Sequence, residues 1–341
     1  MLNIDGSLGE GGGQVLRSSL ALSILTRQPF HLTNVRSRRN KPGLQPQHLK
    51  SVEAAAAICS GNIVGAALNS QDLVFEPGQV HGGRYRFDIG SAGAATLVLQ
   101  TIFLPLIKAG DSSNITITGG THVPFSPSYH YLEREWLPLL QAQGCWAKLS
   151  MPLAGFYPIG GGQIQAMIRP VTEIRPIERV QRGRLVRIRG VSAVANLDES
   201  IARRQKLQAL RRLEPLCADS KLETVQMQSP GKGTLLLVQA EFEQATCCYF
   251  GLGALGKRAE QVADEAVDQL EAFLHTDGAV DEHLADQILL PLALANGPSV
   301  FRTARVTLHL LTHAQVIRFF LPAQIEIEGA EGQPGTVTIR P

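Results

Sequence analysis

One order of elements (helix, strand, helix, strand, strand) recurs three times along the 341 residues, and this limits the fold to one built from a repeated supersecondary unit. The first unit reads as a helix over 14–25, with Leu16, Leu20 and Ile24 on one face, followed by a strand over 29–35. A helix over 47–59 and strands over 73–76 and 85–89 complete it. The second unit reads as a helix over 94–107, a strand over 114–118, a helix over 129–143 and strands over 147–150 and 163–168. The third has a helix over 286–295, a strand over 305–311, a helix over 314–320 and strands over 324–328 and 336–339. The fold class expected is therefore α/β (α+β), built from three repeats of one two-helix unit with its strands.

The repeat is interrupted. Units one and two start about 80 residues apart and units two and three about 190 apart, a surplus of roughly 100 residues, which is domain-sized. Pro176 and Gly278 punctuate its edges, which predicts a large domain of 1–176 and 278–341 and an inserted smaller α/β domain of 177–277. Within it, 184–194 alternates as a strand, 197–213 is a charged helix, 234–241 and 246–250 are strands, and 259–275 is a long helix.

Composition narrows the function. The net charge of +2 is too low for a protein that coats long nucleic acid, although a local patch would serve for gripping one end. Five cysteines, with no CxxC or Cys/His ligand spacing, predict neither a zinc site nor a disulfide framework, and a reducing, cytoplasmic setting. The opening MLNIDGSLGEGGGQ lacks the basic and apolar runs of a signal peptide, and no stretch of 18 apolar residues predicts a membrane span.

Several segments carry chemistry. Gly9-Glu10-Gly11-Gly12-Gly13-Gln14 leads into a helix bearing Arg17, where exposed backbone N–H groups suit an anion. Glu10 beside phosphates would suit a divalent cation; the alternative is an ordinary tight turn. Arg36, Arg38, Arg39 and Lys41, followed by Gln47-His48, supply guanidinium forks that match phosphate oxygens, or else form a solvated loop. Gly251 to Lys257 fits GxxxxGK, but Arg258 stands where a hydroxyl should ligate magnesium, so it reads as a turn before a helix. The basic run Arg203–Arg212 has few aromatics nearby and reads as a solvated helix face. His309 falls on the strand face opposite Val306, Leu308 and Leu310, where a lone histidine is ordinarily structural.

Taken together, DGSLGEGGGQVLRSSLALS, RSRRNKPGLQPQHL, YRFDIGSAGAATLVLQT, GGTHVPFSP, GFYPIGGG, DEHLADQILLPLALA and VTLHLLTH resemble the RNA 3′-terminal phosphate cyclase family, in order, over nearly the whole chain. The resemblance implies a large domain of three repeats, each with two helices and a four-stranded sheet, like the C-terminal domain of translation initiation factor 3, with a smaller α/β domain inserted before the third. It also implies an ATP-dependent, ligase-type enzyme that turns an RNA 3′-phosphate into a 2′,3′-cyclic phosphate through a histidine–AMP and an RNA-adenylate, releasing pyrophosphate and AMP.

By the same resemblance His309 matches the adenylated histidine, and Glu10 the glutamate near the metal, Mg2+ or Mn2+. Gln100, Pro127, Tyr131 and the run His283, Leu284, Ala285, Asp286 and Gln287 match positions around ATP. Asp286 is the expected ribose contact, and His283 or Tyr131 the ring stacked on adenine. Arg17, Arg36, Arg39, Gln47 and His48 match positions that hold RNA and ATP phosphates. His283 stands where tyrosine is common in the family, His122 where a small polar residue is frequent, and Pro46 where some members carry arginine. The expected partners are RNA 3′-phosphate ends and ATP, with no membrane; the assembly is left open between monomer and homodimer. Two other readings are a non-catalytic, cyclase-like ribosome-assembly protein, which would lack the histidine, and an enolpyruvyl-transferase-like enzyme, which would not need it.

Overall fold

A computed structural model describes residues 1–341. The first sheet is formed by β1 (Leu2–Asp5), β2 (Phe30–Thr33), β3 (Asn62–Val64) and β4 (Leu73–Glu76), with α1 (Gly13–Thr26) and α2 (Pro46–Cys59) between its strands. The second contains β5 (Arg84–Asp88), β6 (Ser113–Gly119), β7 (Ala147–Leu153) and β8 (Gly162–Ile168). Its helices are α3 (Ala95–Ile107) and a second helix that starts as α4 (Tyr129–Tyr131), passes through a π-turn (Leu132–Trp136) and ends as α5 (Leu137–Ala142).

β9 (Glu178–Arg179) pairs in parallel with a strand near the end of the chain, at Val300 and Phe301. The chain then forms a separate sheet from β10 (Leu185–Ala195), β11 (Ser220–Gln226), β12 (Gly233–Phe242) and β13 (Thr246–Leu252), covered by α6 (Glu199–Leu213) and α7 (Ala259–Leu274). The remaining elements are α8 (Glu282–Gln287), α9 (Leu289–Ala293), β14 (Ser299–Thr303), α10 (Leu308–Phe320), β15 (Gln324–Glu328) and β16 (Gly335–Arg340).

Three of the four sheets share one topology. Their orders are β1-β2-β4-β3, β5-β6-β8-β7 and β9-β14-β16-β15. In each, the first pair is parallel and the other two pairs are antiparallel. The fourth sheet, β11-β10-β12-β13, is ordered differently. Beside β14, Val300 faces Glu178, Phe301 faces Arg179 and Thr303 bridges Val280. The chain thus leaves this strand line after Arg179 and rejoins it at Val280. Pairing of side-by-side strands fixes both ends of the excursion, so the long segment between them disturbs neither neighbour.

Expected elements moved in four places. The strand over 85–89 is β5, the first strand of the second sheet rather than the last of the first. The short, exposed β3 and the polar β11 carry too little apolar alternation to be read in advance. The helix over 286–295 is two short helices, and it begins earlier because Asp281 caps it, its Oδ1 accepting from the His283 and Leu284 N–H groups at 2.9 and 2.8 Å. The strand over 305–311 does not form. Thr307 caps a helix instead, its Oγ1 accepting from Leu310 N–H at 3.1 Å, and Leu310, Ala314, Ile317 and Phe320 are buried along it.

The helices of the three units meet around α1, which packs against α2, α3 and α10. That explains why α1 is buried nearly all round instead of showing the single apolar stripe its sequence suggests. One face of the fourth sheet joins this core through Val191, Ala193, Leu235 and Leu237, while its other face forms a second core with α6 and α7. No helix is long and apolar enough to cross a membrane.

Where the π-turn meets the fourth sheet, two acids are enclosed. Glu135 is 1 % exposed and Asp281 is 0 % exposed. Thr246 Oγ1 donates to Glu135 Oε1 at 2.9 Å, but Glu135 Oε2 has no partner. Burial raises both carboxyls above their ordinary range, and the charge of Asp281 raises Glu135 further. An acid whose folded pKa is raised favours the folded state most when protonated. Its contribution is complete below the ordinary carboxylate range and is lost as pH rises through neutrality. Denaturation midpoints measured between pH 5 and 9 are therefore expected to fall with pH, by up to about 1.4 kcal/mol per pH unit for one proton. Glu135→Gln is expected to flatten that slope, and an unchanged slope contradicts the assignment.

Candidate active site

The starts of α1, α2 and α10 open onto one cavity of about 1980 Å³, which Gly13, Gln47 and His309 help to line. Sites for a single small ligand span roughly 300–1000 Å³, so this one has room for two substrates. Helix N-termini carry unsatisfied N–H groups and partial positive charge, so the cavity favours anions before any side chain is counted.

His309 is the second residue of α10, on a helix start instead of the expected strand face. Its Nδ1 lies 3.0 Å from Gln14 Oε1. Gln14 Nε2 donates to Asp286 Oδ2 at 2.6 Å, which fixes the amide so that its oxygen faces the imidazole. An amide oxygen only accepts, so Nδ1 carries a proton and Nε2 is the nitrogen available for bonding. Glu10 Oε2 is 3.1 Å from Nε2 and also accepts from Arg39 Nη2 at 2.6 Å. That carboxylate oxygen can accept from Nε2 only while the ring carries both protons; in the neutral tautomer Nε2 presents its lone pair.

The glycine-rich turn makes this approach feasible. Gly9 adopts a left-handed backbone, and a Cβ there would run into the Thr312 hydroxyl of α10. A Cβ on Gly13 would run into His48 Nε2 and come within 2.9 Å of Arg17 Nη1. Glycine at these points lets α1 start against α10 and α2 at once.

The three expected phosphate-binding arginines differ in how far they are committed. Arg36 Nη1 donates to the carbonyls of Lys41 and Gly43 at 2.6 and 2.8 Å, stapling its own loop. Arg39 is held by Glu10. Arg17 lines the cavity, and burial lowers its pKa to about 10, opposed by Asp286 and reinforced by Arg36. It stays cationic at neutral pH, with Asp286 the only opposite charge acting on it.

His48 is buried. Its Nδ1 accepts from Gln45 N–H at 3.3 Å, and burial, with the charges of Arg17 and Arg36, lowers its pKa to about 2. It is therefore neutral with its proton on Nε2, a donor facing Gly13 and the cavity. Gln47 Oε1 accepts from Ala94 N–H at 2.8 Å, tying α2 to the start of α3.

Of the expected nucleotide positions, Gln100, Pro127, His283, Asp286 and Gln287 line the cavity. Gln100 Nε2 donates to Gln287 Oε1 at 2.6 Å, and Gln287 Nε2 donates to the His283 carbonyl at 2.6 Å. Leu284 and Ala285 are fully buried and contribute no side chain to the cavity, because they sit on the apolar face of α8. Tyr131 lines the cavity but is only 1 % exposed, with its hydroxyl donating to Asp281 Oδ1 at 3.1 Å. That leaves His283, which is exposed, as the ring free to stack. Asp286 is occupied by Gln14, and burial raises its pKa. Through that bond it orients the Gln14–His309 pair, while its Oδ1 takes no hydrogen bond from the protein.

Two cavity residues were not anticipated in a role. Gln14 belongs to the quoted motif, yet its function depends on contacts with residues 272 and 295 positions away. His313 lies one helical turn beyond His309. Its Nδ1 is 2.7 Å from the Asp286 carbonyl, and its buried Nε2 has no partner. Burial lowers its pKa to about 4, against the bond to Asp286 and together with the charges of Arg17 and His309.

Other features fall outside the site. Lys257 of the GxxxxGK stretch pairs with Glu265 and bonds the Leu252 carbonyl, so the stretch is a turn before α7. The basic face of α6 is matched by acids of α7: Arg204 by Glu260, and Arg212 by Asp264, Asp268 and Glu271. His122 is buried against Phe156, its Nε2 2.8 Å from His130 Nδ1. No group of three or more His, Cys, Asp or Glu side chains is disposed to hold a metal through protein ligands alone.

The whole chain has named relatives. The chain is 44% identical over 326 residues to an RNA 3′-terminal phosphate cyclase of Pseudomonas fluorescens, covering 96% of this chain and 94% of that protein. A protein of the same name from Nostoc punctiforme is 42% identical over 338 residues, covering 97% of each chain. Another from Ralstonia nicotianae is 41% identical over 340 residues, covering 99% of this chain and 96% of that one. The family profile described as RNA 3′-terminal phosphate cyclase matches residues 8–327, so the span from the glycine-rich turn through α10 to β15 is shared, and this chain belongs to that family.

Proposed function

We propose that this protein uses ATP to convert an RNA 3′-terminal phosphate into a 2′,3′-cyclic phosphodiester, with His309 as the nucleophile. The observation that supports it most is the imidazole held between Gln14 and Glu10 at the start of α10, inside a cavity that also holds Arg17.

In the first step His309 Nε2 attacks the α-phosphorus of ATP. An N–P bond forms, the bond to the β-phosphate oxygen breaks, and pyrophosphate leaves. Gln14 keeps the one ring proton on Nδ1, so the attacking Nε2 brings a free lone pair; a ring that starts doubly protonated first gives its Nε2 proton to Glu10. In the second step an oxygen of the RNA 3′-phosphate attacks the adenylate phosphorus and the N–P bond breaks, returning His309 and giving an RNA-adenylate. In the third, the neighbouring 2′-OH attacks the 3′-phosphorus and AMP leaves; with both groups on one ribose, the step is intramolecular.

Arg17 and the His48 Nε2–H stabilise charge on the transferring phosphates. A divalent cation fits this cavity only in one way: Glu10 would supply a single carboxylate and the substrates' phosphates the other oxygens, a pattern that suits Mg2+ or Mn2+. Such an ion would neutralise phosphate charge.

The test is an RNA whose 3′-terminal phosphate is radiolabelled, incubated with ATP and Mg2+. The expected result is a phosphatase-resistant terminus, with one AMP released per end. A terminus that stays phosphatase-sensitive would falsify the proposal.

A further inference from the structure

Two aromatic side chains stand uncovered on the rim of the cavity. Phe125 is 104 % exposed and Tyr157 is 69 % exposed, and both line the same space as Arg17 and His48. Phe125 also has a φ of 61°, a left-handed backbone that bulky L-residues rarely adopt. Hydration and backbone both disfavour such a placement, so it points to something that covers the ring in use.

The two rings belong to one supported surface. Their loops are coupled: His122 bridges Phe156, and Gly155 O accepts from the N–H groups of Thr121 and His122 at 2.9 and 3.0 Å. This surface continues directly into the phosphate-binding cluster. Gly160, in the Tyr157 loop, packs so closely on Ala92 and Ser91 that a Cβ would lie 2.6 and 2.7 Å from their backbone atoms. Two residues further on, Ala94 donates to Gln47 of α2. A chain that places its terminal phosphate beside Gln47, His48 and Arg17 therefore passes over Tyr157 and Phe125 on its way out.

The other wall discourages that chain. The residues of α7 that line the cavity include Asp264, Glu265 and Asp268 and no basic side chain, and the acids' own cations, Arg212 and Lys257, are held in ion pairs, so this wall offers a polyphosphate strand no free positive charge.

We infer that Phe125 and Tyr157 form a stacking platform for the unpaired bases just upstream of an RNA 3′-phosphate, and so select single-stranded ends. This rests on the proposed reaction for the identity of the strand. Stacking is tolerant of sequence, because every base has an aromatic face, and is sensitive to the loss of a ring or a base.

The test uses the full-length protein in two arms. First, AMP transfer is followed for a nucleoside 3′-phosphate and for oligoribonucleotides of two to five residues ending in 3′-phosphate. The expected result is a kcat/KM that rises with length in the wild type. In Phe125→Ala/Tyr157→Ala this rise is lost, roughly tenfold or more, while Phe125→Tyr keeps it. An abasic residue at the penultimate position should reproduce the loss in the wild type alone. Labelling of the protein by ATP serves as the check that each variant is folded. Second, a fluorescent single-stranded RNA is titrated directly. This arm tests the platform even if no AMP reaches RNA, a result that would count against the reaction instead. Equal RNA affinity in wild type and double variant, or indifference to the abasic site, overturns the platform.

Discussion

Replacing His309 by alanine is expected to abolish transfer of AMP from ATP to the protein, a loss on the order of 10⁴-fold or more, because no other group supplies a nitrogen between Gln14 and Glu10. The loss is not expected to come from unfolding. The side chain is 46% exposed at the first turn of α10, and the cap of that helix is Thr307, not His309. Surface changes of this kind shift stability by about 0.5 kcal/mol or less. Gln14→Ala should leave the nucleophile in place but free its tautomer, so labelling slows without disappearing. The measurement is the single-turnover rate of protein labelling by α-labelled ATP, set beside the denaturation midpoint of each variant. A His309→Ala protein that labels at the wild-type rate is incompatible with the proposed chemistry.

Arg17→Met is expected to move activity and stability in opposite directions. The half-buried guanidinium lines the cavity with no direct ion-pair partner, Asp286 acting on it only through space, and desolvation disfavours its charge. Replacing it with an apolar side chain of similar length removes that cost, so the folded state should be as stable as the wild type or more so, by about 1 kcal/mol. The same change removes the fork that meets developing phosphate charge. Losing one such group costs roughly 10²- to 10³-fold in rate. Arg17→Lys should recover part of this, because the charge returns without the bidentate geometry. A merely structural arginine would give the reverse pattern, with lower stability and activity that follows it.

How much of this site was legible depended on the kind of signal. Glu10, Arg17, Arg39 and His48 sit in stretches whose glycines and clustered bases mark an anion site, and they converge on one cavity. Only the family resemblance marks His309, and the local alternation points to a strand where a helix forms. Val306, Leu308 and Leu310 alternate like a strand, and only the longer run to Phe320 shows the helical spacing; Thr307, three residues before Leu310, was the cap that marked the helix start. The resemblance covers the whole run 283–287, although His283, Asp286 and Gln287 lie at helical spacing and leave Leu284, Ala285 and Ile288 on the buried face. That periodicity could have separated lining residues from core. The pairing of Tyr131 with Asp281 spans 150 residues and has no local signal at all. Nor has the Asp286–Gln14–His309 chain, which exists only because α1, α8 and α10 meet.

The central claim is that one ring nitrogen of one histidine carries AMP. Trypsin should release residues 306–318, a peptide that contains both His309 and His313. Incubation with α-labelled ATP and Mg2+, digestion under mildly alkaline conditions and fragmentation of that peptide by mass spectrometry would locate the adenylate. The account predicts an acid-labile adenylate on His309 and none on His313, whose Nδ1 is engaged by the Asp286 carbonyl and whose Nε2 is buried. Adenylate on His313, on another residue, or nowhere in the protein would contradict it.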